Sequence, residues 1–433
     1  MTSRGDSGAA ARRPGLLDRL PDGTAALLSE GYWWGTRQCA ARAADVARVR
    51  LLGRRAAVTL GRETARQFYG EKVLRAGAAP RRLQRSLLGV GGVQGLDGPA
   101  HRHRKGLFLD LLAPPASGEL AAVVVRVWHD RLAHWEQSGR ITLFDELGPL
   151  LCQAVCEWAH VPLPSDQVVR RTAQLEALID AGSSVGPRYW RSLLARHRLE
   201  AWLAGLIEQV RRGSLDVPAD CALARATQHT ELDGRQLDPR VAAVELLNII
   251  RPTVAIDRFI VFLAVALHEH PEWRPRLAAD DRGAILQFVT EVRRHAPFFP
   301  LVAGRALPGL TLGGVPVRPG SRVLLDLFGT NRDPRTWTDP DVFDPERHAG
   351  ETADPFLLIP QGGGDHASGH RCAGEWVTVS VMAAAAVLLT QEMSYRVPEQ
   401  DLRVDLRRMP TLPASGLRLT DVRRRPAAQS AGN

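Results

Sequence analysis

The sequence is almost without lysine and contains little cysteine. Lys72 and Lys105 are the only lysines in 433 residues, so arginine supplies nearly all of the positive charge behind a net charge of +9. The five cysteines are odd in number and widely spaced, which argues against a disulfide framework and fits a reducing cytoplasm. The arginines are scattered, and no basic stripe alternates with aromatic residues. This distribution argues against a nucleic-acid-binding protein.

The chain also lacks an apolar run behind its polar N-terminus and a long linker rich in Gly, Ser or Pro. Neither a signal peptide nor a membrane anchor is therefore predicted. Hydrophobic residues make up 45% of the chain and charged residues 24%, as in ordinary globular proteins. We predict a disordered N-terminus at residues 1–13, a single folded domain at 14–420 and a disordered C-terminal tail at 421–433.

Hydrophobic spacing predicts a mainly α fold with small β-sheets. Between residues 120 and 212, apolar side chains recur every three or four positions, which indicates amphipathic helices. Short β candidates at 310–317 and 322–327 are punctuated by glycine and proline.

Residues 239–268 differ from the other helical segments because they are apolar on nearly every face. Glu245, Arg251, Asp257 and Arg258 interrupt the segment too often for a lipid span, so we predict a long helix through the protein core. A buried guanidinium and a mid-helix proline at Arg251 and Pro252 are both destabilising, and together they indicate a site. The alternative is that the proline ends one helix and begins another, with the arginine at a wet junction.

The strongest local signal is a glycine-rich loop, a cysteine and an apolar helix at residues 361–389. Cys372 would be presented as a thiolate at the helix N-terminus, while Gly374 lets the backbone approach something flat and bulky. This is how an axial cysteine would hold a haem iron. A zinc site of His366, His370 and Cys372 lacks a fourth ligand, and a phosphate loop would need a Lys-Ser/Thr ending. A buried inert cysteine is the remaining alternative.

Two other groups of cysteine and histidine residues are better explained by structure than by chemistry. Cys152, Cys156 and His160 fall at i, i+4 and i+8, which could face a metal but is more typical of core packing. His268 and His270 lack the spacing of a zinc-protease helix and fit a helix end.

Upstream of the cysteine loop, Glu291 and Arg294 stand at i and i+3 of a predicted helix and can form a side-on ion pair. The segment Phe343-Asp344-Pro345-Glu346-Arg347 follows, and then Gly369-His370-Arg371-Cys372-Ala373-Gly374. In this order and spacing the three segments resemble the haem-thiolate signature set of the cytochrome P-450 superfamily. The resemblance covers residues 14–419. It implies that residues 14–420 form a haem-thiolate catalytic domain. It also implies a P-450 fold, with haem b buried between the core helix and the cysteine loop, Cys372 as axial ligand, and a structural network of Glu291, Arg294 and Arg347.

The core helix departs from most P-450 enzymes, which place an acid followed by a threonine at its midpoint. Here the sequence is Asn248-Ile249-Ile250-Arg251-Pro252-Thr253, which resembles the bacterial fatty-acid peroxygenases. That resemblance implies a hydrogen-peroxide-dependent enzyme that hydroxylates long- or medium-chain fatty acids at Cα or Cβ without a reductase. Arg251 would hold the substrate carboxylate, which would act as the general acid and base.

The resemblance also implies roles for residues outside the motifs. Gln94 lies in the segment near the distal pocket, where some decarboxylating relatives carry histidine, so hydroxylation is favoured over terminal-alkene formation. Leu88 stands where relatives often have phenylalanine, and Phe298 and Phe299 are candidate lining for the acyl chain. The residues expected at the haem propionates and the surrounding loop are His101, Arg104, Lys105, His370 and Gly374.

Three other functions remain open from the sequence. A P-450 monooxygenase would need electrons from a redox partner. A haem- or fatty-acid-binding protein would bind without turnover, and a nucleic-acid binder would show steeply salt-dependent affinity.

Overall fold

The computed structural model describes residues 21–182, 185–279, 281–350 and 354–425. Most of the described chain is helical. The helices are α1 Thr24–Glu30, α2 Trp34–Ala40, α3 Arg62–Phe68, α4 Arg81–Leu83, α5 Gly98–Leu112, α6 Ala116–Ser138, α7 Leu143–Trp158, α8 Val168–Ile179, α9 Pro187–Arg211, α10 Ala222–Gln228, α11 Pro239–Val254, α12 Ile256–Glu269, α13 Trp273–Ala278, α14 Arg282–His295, α15 Leu327–Thr330 and α16 Glu375–Val387.

The strands are short and form three small sheets. They are β1 Val46–Leu51, β2 Arg54–Thr59, β3 Val73–Leu74, β4 Arg140–Thr142, β5 Leu301–Ala306, β6 Thr311–Leu312, β7 Val315–Pro316, β8 Arg322–Asp326, β9 Met393–Arg396 and β10 Arg418–Arg424. The sheets have the orders β1-β2-β8-β5-β3, β4-β10-β9 and β6-β7. Among the strand pairings of the described residues, β2/β8 is parallel and the others are antiparallel. Gly313 and Gly314 both have positive φ, as the tight β6-β7 turn requires. The predicted mainly α fold with small sheets is confirmed.

The apolar segment at 239–268 forms two buried helices rather than one. Pro252 lies inside α11, and the break falls three residues later at Ala255, between α11 and α12. A proline removes its own hydrogen bond to the preceding turn and crowds that turn, so the helix weakens around it instead of stopping at it. Arg251 is buried, so it does not stand at a wet junction.

Helices α6, α7, α8, α9, α11, α12, α14 and α16 surround the main hydrophobic core. Cys152 and Cys156 of α7 lie fully inside this core, as core packing predicts. His160 lies beyond the end of α7 and is exposed, so the three residues do not share a helix face. His268 is in the last turn of α12, and His270 follows its end.

At the C-terminal end, the boundary predicted at residue 420 is too early. Strand β10 continues to Arg424, where it pairs with Met393 of β9. Leu419 and Val422 are buried on either side of a register shift between Thr420 and Arg423, and they keep these residues in the sheet. The predicted N-terminal tail at 1–13 and the last residues of the C-terminal tail, 426–433, lie outside the described residues.

Across the described residues, no single helix has both the length and the apolar character needed to cross a membrane. One bent pair, Gly98–Leu112 with Ala116–Ser138, meets the requirement by length and composition only.

Candidate functional site

Cys372 is held in a loop immediately before α16. Its backbone N–H donates to the carbonyl of Gln361 at 3.2 Å. Burial raises the pKa of the Cys372 thiol, whereas the backbone N–H of Gly374 and the cations Lys105 and Arg293 lower it. Because burial, together with Glu375, outweighs these groups, the pKa of the free thiol stays above its usual value, and a coordinated metal ion would favour the thiolate.

Glu375 at the start of α16 ties the cysteine loop to α14. Its carboxylate binds Arg293 of α14, Arg371 at 2.6 Å and His366 at 3.1 Å. Burial alone would raise the pKa of Glu375, but these three partners hold it well below its usual value. Because Arg293 also donates to the Gln361 side chain at 3.1 Å, both ends of the loop are fixed.

The zinc alternative is not supported by this geometry. His366 is engaged with Glu375, and His370 stacks on His101 with ring centroids 3.8 Å apart. Throughout the described ranges, no group of three His, Cys, Asp or Glu side chains is arranged to hold a metal ion.

Glu291 and Arg294 form a closed ion-pair network behind α16. Glu291 and Arg294 make two hydrogen bonds of 2.7 Å, and both side chains are fully buried. Arg347 and His348 reach the same carboxylate at 3.3 and 2.9 Å. Burial alone would raise the pKa of Glu291, but Arg294 and His348 lower it to about 2. The predicted side-on pair is therefore present, and Arg347 joins it.

His101 and Lys105 lie against the cysteine loop from α5. Lys105 donates to the carbonyls of Gly369 and Arg371, the latter at 2.8 Å. Burial lowers the pKa of Lys105 to about 8 and that of His101 to about 4. Burial and Arg75 lower the pKa of His370 to about 2. The two histidines are thus neutral donors beside a cationic lysine at neutral pH.

Arg75 joins this group, although no sequence motif pointed to it. Its backbone N–H donates to Asp97 at 2.8 Å, and its guanidinium donates to the carbonyl of Ala303 at 2.6 Å. Asp97 also lies 3.4 Å from His370. The group as a whole therefore brings two cations, Arg75 and Lys105, to one side of the site, and such cations can pair with an anionic ligand.

Arg104 lies elsewhere, although it precedes Lys105 in the sequence. Its guanidinium forms ion pairs of 2.7 Å with Glu231 and with Glu245 of α11. Both partners are carboxylates of the protein itself, so the structure gives Arg104 a structural role and leaves it out of the propionate group.

Arg251 occupies the other side of the site, on the buried face of α11. No acceptor among the described residues lies within hydrogen-bonding distance of its guanidinium, and its Nε is buried without a partner. Burial and, to a smaller extent, Arg196 lower the pKa of Arg251 to about 9, against the opposing effect of Cys372. A buried cation without a counter-ion is costly unless a ligand supplies one.

Gln94 lies in a short turn beside α11, where it contacts Asn248, three residues before Arg251. Asn248 donates from its Nδ2 to the Gln94 side-chain oxygen at 3.1 Å and to Glu245 at 3.1 Å. The Asn248 Oδ1 is buried without a partner. The sequence does not single out Asn248 or Glu245 for this network, although Asn248 lies one helical turn before Arg251 on α11.

The residues predicted to line the acyl-chain pocket differ in their burial. Leu88 is half-buried at the end of a helical turn over 84–88. Phe298 packs on Phe259 of α12 with centroids 4.6 Å apart. Phe299 contacts Phe298 edge-on but is 40% exposed.

Three observations fit a haem bound at Cys372. Gly374 has ordinary backbone angles, and a Cβ there would meet only Cys372 Sγ and Leu112 at 3.9 Å, so the polypeptide alone does not require glycine. The Arg75–Lys105 group offers two cations that can pair with an anionic ligand. Arg251 provides an unpartnered buried cation that acts electrostatically on Cys372. Fold and site together define a haem-thiolate protein.

Comparisons with known proteins agree with this class. The Cytochrome P450 family model matches residues 285–415. Cytochrome P450 133B2 of Xylella fastidiosa is 26% identical over 311 residues, which are 71% of this chain and 74% of that protein. Because a solved structure of this family is 42% identical over 94% of this chain, the chain belongs to the cytochrome P450 family, with haem and an axial cysteine thiolate as its cofactor.

Solved structures place the chain within one branch of that family. A mutant of cytochrome P450SP alpha (CYP152B1) is 42% identical, covering 94% of this chain and 100% of that one, with a TM-score of 0.91. Cytochrome P450EX alpha (CYP152N1) with myristic acid is 40% identical, covering 93% and 98%, with a TM-score of 0.90. Cytochrome P450 OleT in complex with arachidonic acid is 33% identical, covering 94% and 98%, with a TM-score of 0.91. The resemblance to the bacterial fatty-acid peroxygenases is thereby confirmed.

Proposed function

We propose that this protein is a peroxygenase that uses hydrogen peroxide to hydroxylate long- or medium-chain fatty acids at Cα or Cβ. The observation that carries the proposal is the buried Arg251 guanidinium, which has no partner among the described residues. A fatty-acid carboxylate supplies the missing counter-ion through two parallel N–H···O bonds. The similar structures solved with myristic and arachidonic acid support this choice of substrate.

Haem bound through Cys372 supplies peroxide cleavage and oxygen transfer, favoured by the electron-donating thiolate. Arg75, His101, Lys105 and His370 hold its propionates in this proposal. Arg251 fixes the substrate carboxylate on the opposite side, so that only carbons close to the carboxylate reach the oxidising centre. The oxidation is therefore confined to Cα and Cβ.

Proton transfer falls to the substrate because α11 offers no acid–threonine pair. Thr253 follows Pro252, but its hydroxyl donates to the carbonyl of Ile249 at 2.9 Å and is engaged within the helix. The carboxylate held by Arg251 is placed to take a proton from one peroxide oxygen and return it to the other. Gln94, a neutral amide, hydrogen-bonds in this region without acting as a strong acid, which favours hydroxylation over decarboxylation.

We also propose that the described residues form one catalytic domain that needs no reductase. Its place of action in this proposal is the cytoplasm. The five cysteines, all free thiols, support a reducing compartment.

The direct test is to incubate the purified haem-loaded protein with palmitic acid and hydrogen peroxide, without reductase or nicotinamide, and to identify the products by mass spectrometry. We expect 2- or 3-hydroxypalmitic acid and no product from methyl palmitate, which lacks the carboxylate. The Cys372→Ala variant should lose the thiolate spectrum of the ferrous carbon monoxide complex. Absence of product from a protein with an intact thiolate spectrum would overturn the proposal in favour of a partner-dependent monooxygenase or a binding protein.

A further inference from the structure

One face of the molecule carries arginines without acidic partners. Arg81 and Arg85 precede the turn at Gly89, while Arg188 and Arg191 lie in the first turns of α9, and all four are exposed. The sequence contains no Asp or Glu at 81–96 or 181–199. In the described parts of the chain, none of these four guanidinium groups forms an ion pair or a hydrogen bond. The four positive charges therefore face solvent uncompensated.

Two contacts join the two segments into a single surface. The Arg82 guanidinium lies over the ring of Tyr189, 4.3 Å from its centroid. Behind them, Arg196 of α9 donates to the carbonyl of Leu87 at 2.9 Å. The arginines of both segments thus belong to one face.

The same face exposes large apolar side chains. Trp190 is 68% exposed and Leu194 50%, and both lie on the solvent side of α9 at helical spacing with Arg191. Val90, 67% exposed, follows the other segment. Exposed tryptophan and aliphatic residues among arginines are typical of helices that lie at a membrane surface.

Several exposed arginines elsewhere on the surface are paired with a nearby carboxylate. Arg403 binds Asp401 at 2.7 Å and Arg407 binds Asp405 at 2.9 Å, each two residues away in the sequence. Arg235 binds Asp233 at 2.7 Å in the same way. The four arginines of the α9 face differ from these three because they have no carboxylate partner among the described residues.

We propose that this face, made of Arg81, Arg85, Arg188, Trp190, Arg191 and Leu194, docks onto a bilayer surface that contains anionic lipids. The arginines would pair with lipid phosphates while Trp190 and Leu194 enter the interface. Aliphatic side chains in the middle of the face favour a bilayer over a nucleic acid, which offers leucine no matching surface. The proposal builds on the proposed function, since a bilayer is where a fatty acid dissolves.

The docking face lies next to the segment that contains the predicted substrate contact. Leu88, the predicted substrate contact, lies in the segment that carries Arg85. The backbone next to it packs so closely on α11 that a Cβ at Gly89 would stand 2.5 Å from Val244. A docked molecule would therefore place the bilayer beside the segment that separates solvent from the helix bearing Arg251.

The test is co-sedimentation of the haem-loaded protein with large unilamellar vesicles of phosphatidylcholine, with or without about a third phosphatidylglycerol. We expect binding to the anionic vesicles at 0.1 M salt and its loss at 1 M, where charges are screened within about 3 Å. The pair Arg188→Gln and Arg191→Gln should lower the partition coefficient about 25-fold, at about fivefold for each arginine. Trp190→Ala should weaken binding at both low and moderate salt.

The matched control is the pair Arg403→Gln and Arg407→Gln, which removes the same charge from arginines that already have partners. It should bind anionic vesicles as the parent protein does. The proposal would be overturned if both pairs lost vesicle binding equally, or if the parent protein bound pure phosphatidylcholine as well as the anionic vesicles. It would also be overturned if the protein bound a single-stranded oligonucleotide in a salt-sensitive way and did not bind vesicles.

Turnover separates this proposal from the proposed function. The Arg188/Arg191 pair should oxidise free fatty acid in solution at the parent rate and lose rate only when the acid is supplied in anionic vesicles. Vesicle binding by a protein that oxidises no fatty acid would overturn the peroxygenase proposal and leave the docking surface intact. Parent-like rates for the pair on vesicle-bound acid would overturn the role of docking.

Discussion

The arginines behind α16 and the arginine on α11 are both buried, yet they have opposite surroundings. Arg294 makes two hydrogen bonds to Glu291 and three more to the carbonyls of Asn331, Pro340 and Val342. Arg251 has no acceptor among the described residues. The first network is complete without a ligand, while the second needs one. Completeness of pairing therefore separates a structural network, which joins α14 to residues 331–348, from the arginine that we propose as the substrate anchor.

The largest effect should come from breaking the complete network. Arg294→Met leaves Glu291 as a fully buried carboxylate with too few partners, which costs about 3–5 kcal/mol. Because folded domains are stable by only about 5–15 kcal/mol, we expect most of the haem-loaded protein to be lost. Thermal unfolding and haem retention measure the loss. The exposed Arg403→Met variant is the control and should unfold like the parent; an equally stable Arg294→Met would contradict the structural assignment.

Replacing Arg251 by methionine should leave stability intact and reduce activity, the reverse of the result expected for Arg294. Arg251→Met removes a buried charge that has no protein partner, so the free energy of unfolding should be unchanged or increased. Activity should suffer, because removing one partner of a buried charge pair costs about 2–5 kcal/mol. We expect kcat/KM for palmitic acid to fall at least about 30-fold with the haem-thiolate spectrum unchanged. Loss of stability without loss of activity would show that Arg251 is structural.

Much of this contrast could be predicted from the sequence because its determinants are local. The cysteine, the glycine two residues later and the apolar helix are consecutive, and Glu291 and Arg294 face each other at i and i+3. His101 and Lys105, four residues apart, indeed share a helix face. Arg104 was placed wrongly with them, because adjacent helical residues point about 100° apart.

Other parts depend on contacts between distant segments, which a single sequence does not reveal. Arg75 reaches the site only because β3 pairs with β5, and no motif surrounds it. The break at Ala255 depends on how α11 and α12 pack and not on Pro252 alone. Asn248 gains its partner Gln94 from a turn 154 residues earlier in the chain.

Substrate binding should depend on pH through the titration of Arg251. Burial and Arg196 lower the pKa of Arg251 to about 9, so its cation is present below that pH and is lost above it. The fatty-acid carboxyl group is ionised throughout this range. The dissociation constant should therefore rise about tenfold per pH unit above 9, as followed by the spectral shift on binding. A dissociation constant that stays flat to pH 10.5 would contradict the anchor. Because the bound carboxylate raises the pKa of Arg251, kcat should stay constant up to a higher pH than kcat/KM does.

The smallest effect is expected at Gln94, which borders the incomplete site without carrying charge. Gln94→His keeps an acceptor for Asn248 but adds a side chain that can be protonated near neutral pH and can donate a proton. We expect the terminal alkene to rise severalfold as a share of products while hydroxy acids remain the majority, measured by mass spectrometry at equal turnover. Gln94→Leu, which cannot accept from Asn248 or donate, serves as the control and should lower total activity without raising the alkene share. An alkene share that rises equally in both variants would show that the loss of the amide, and not the gain of a titratable group, shifts the reaction.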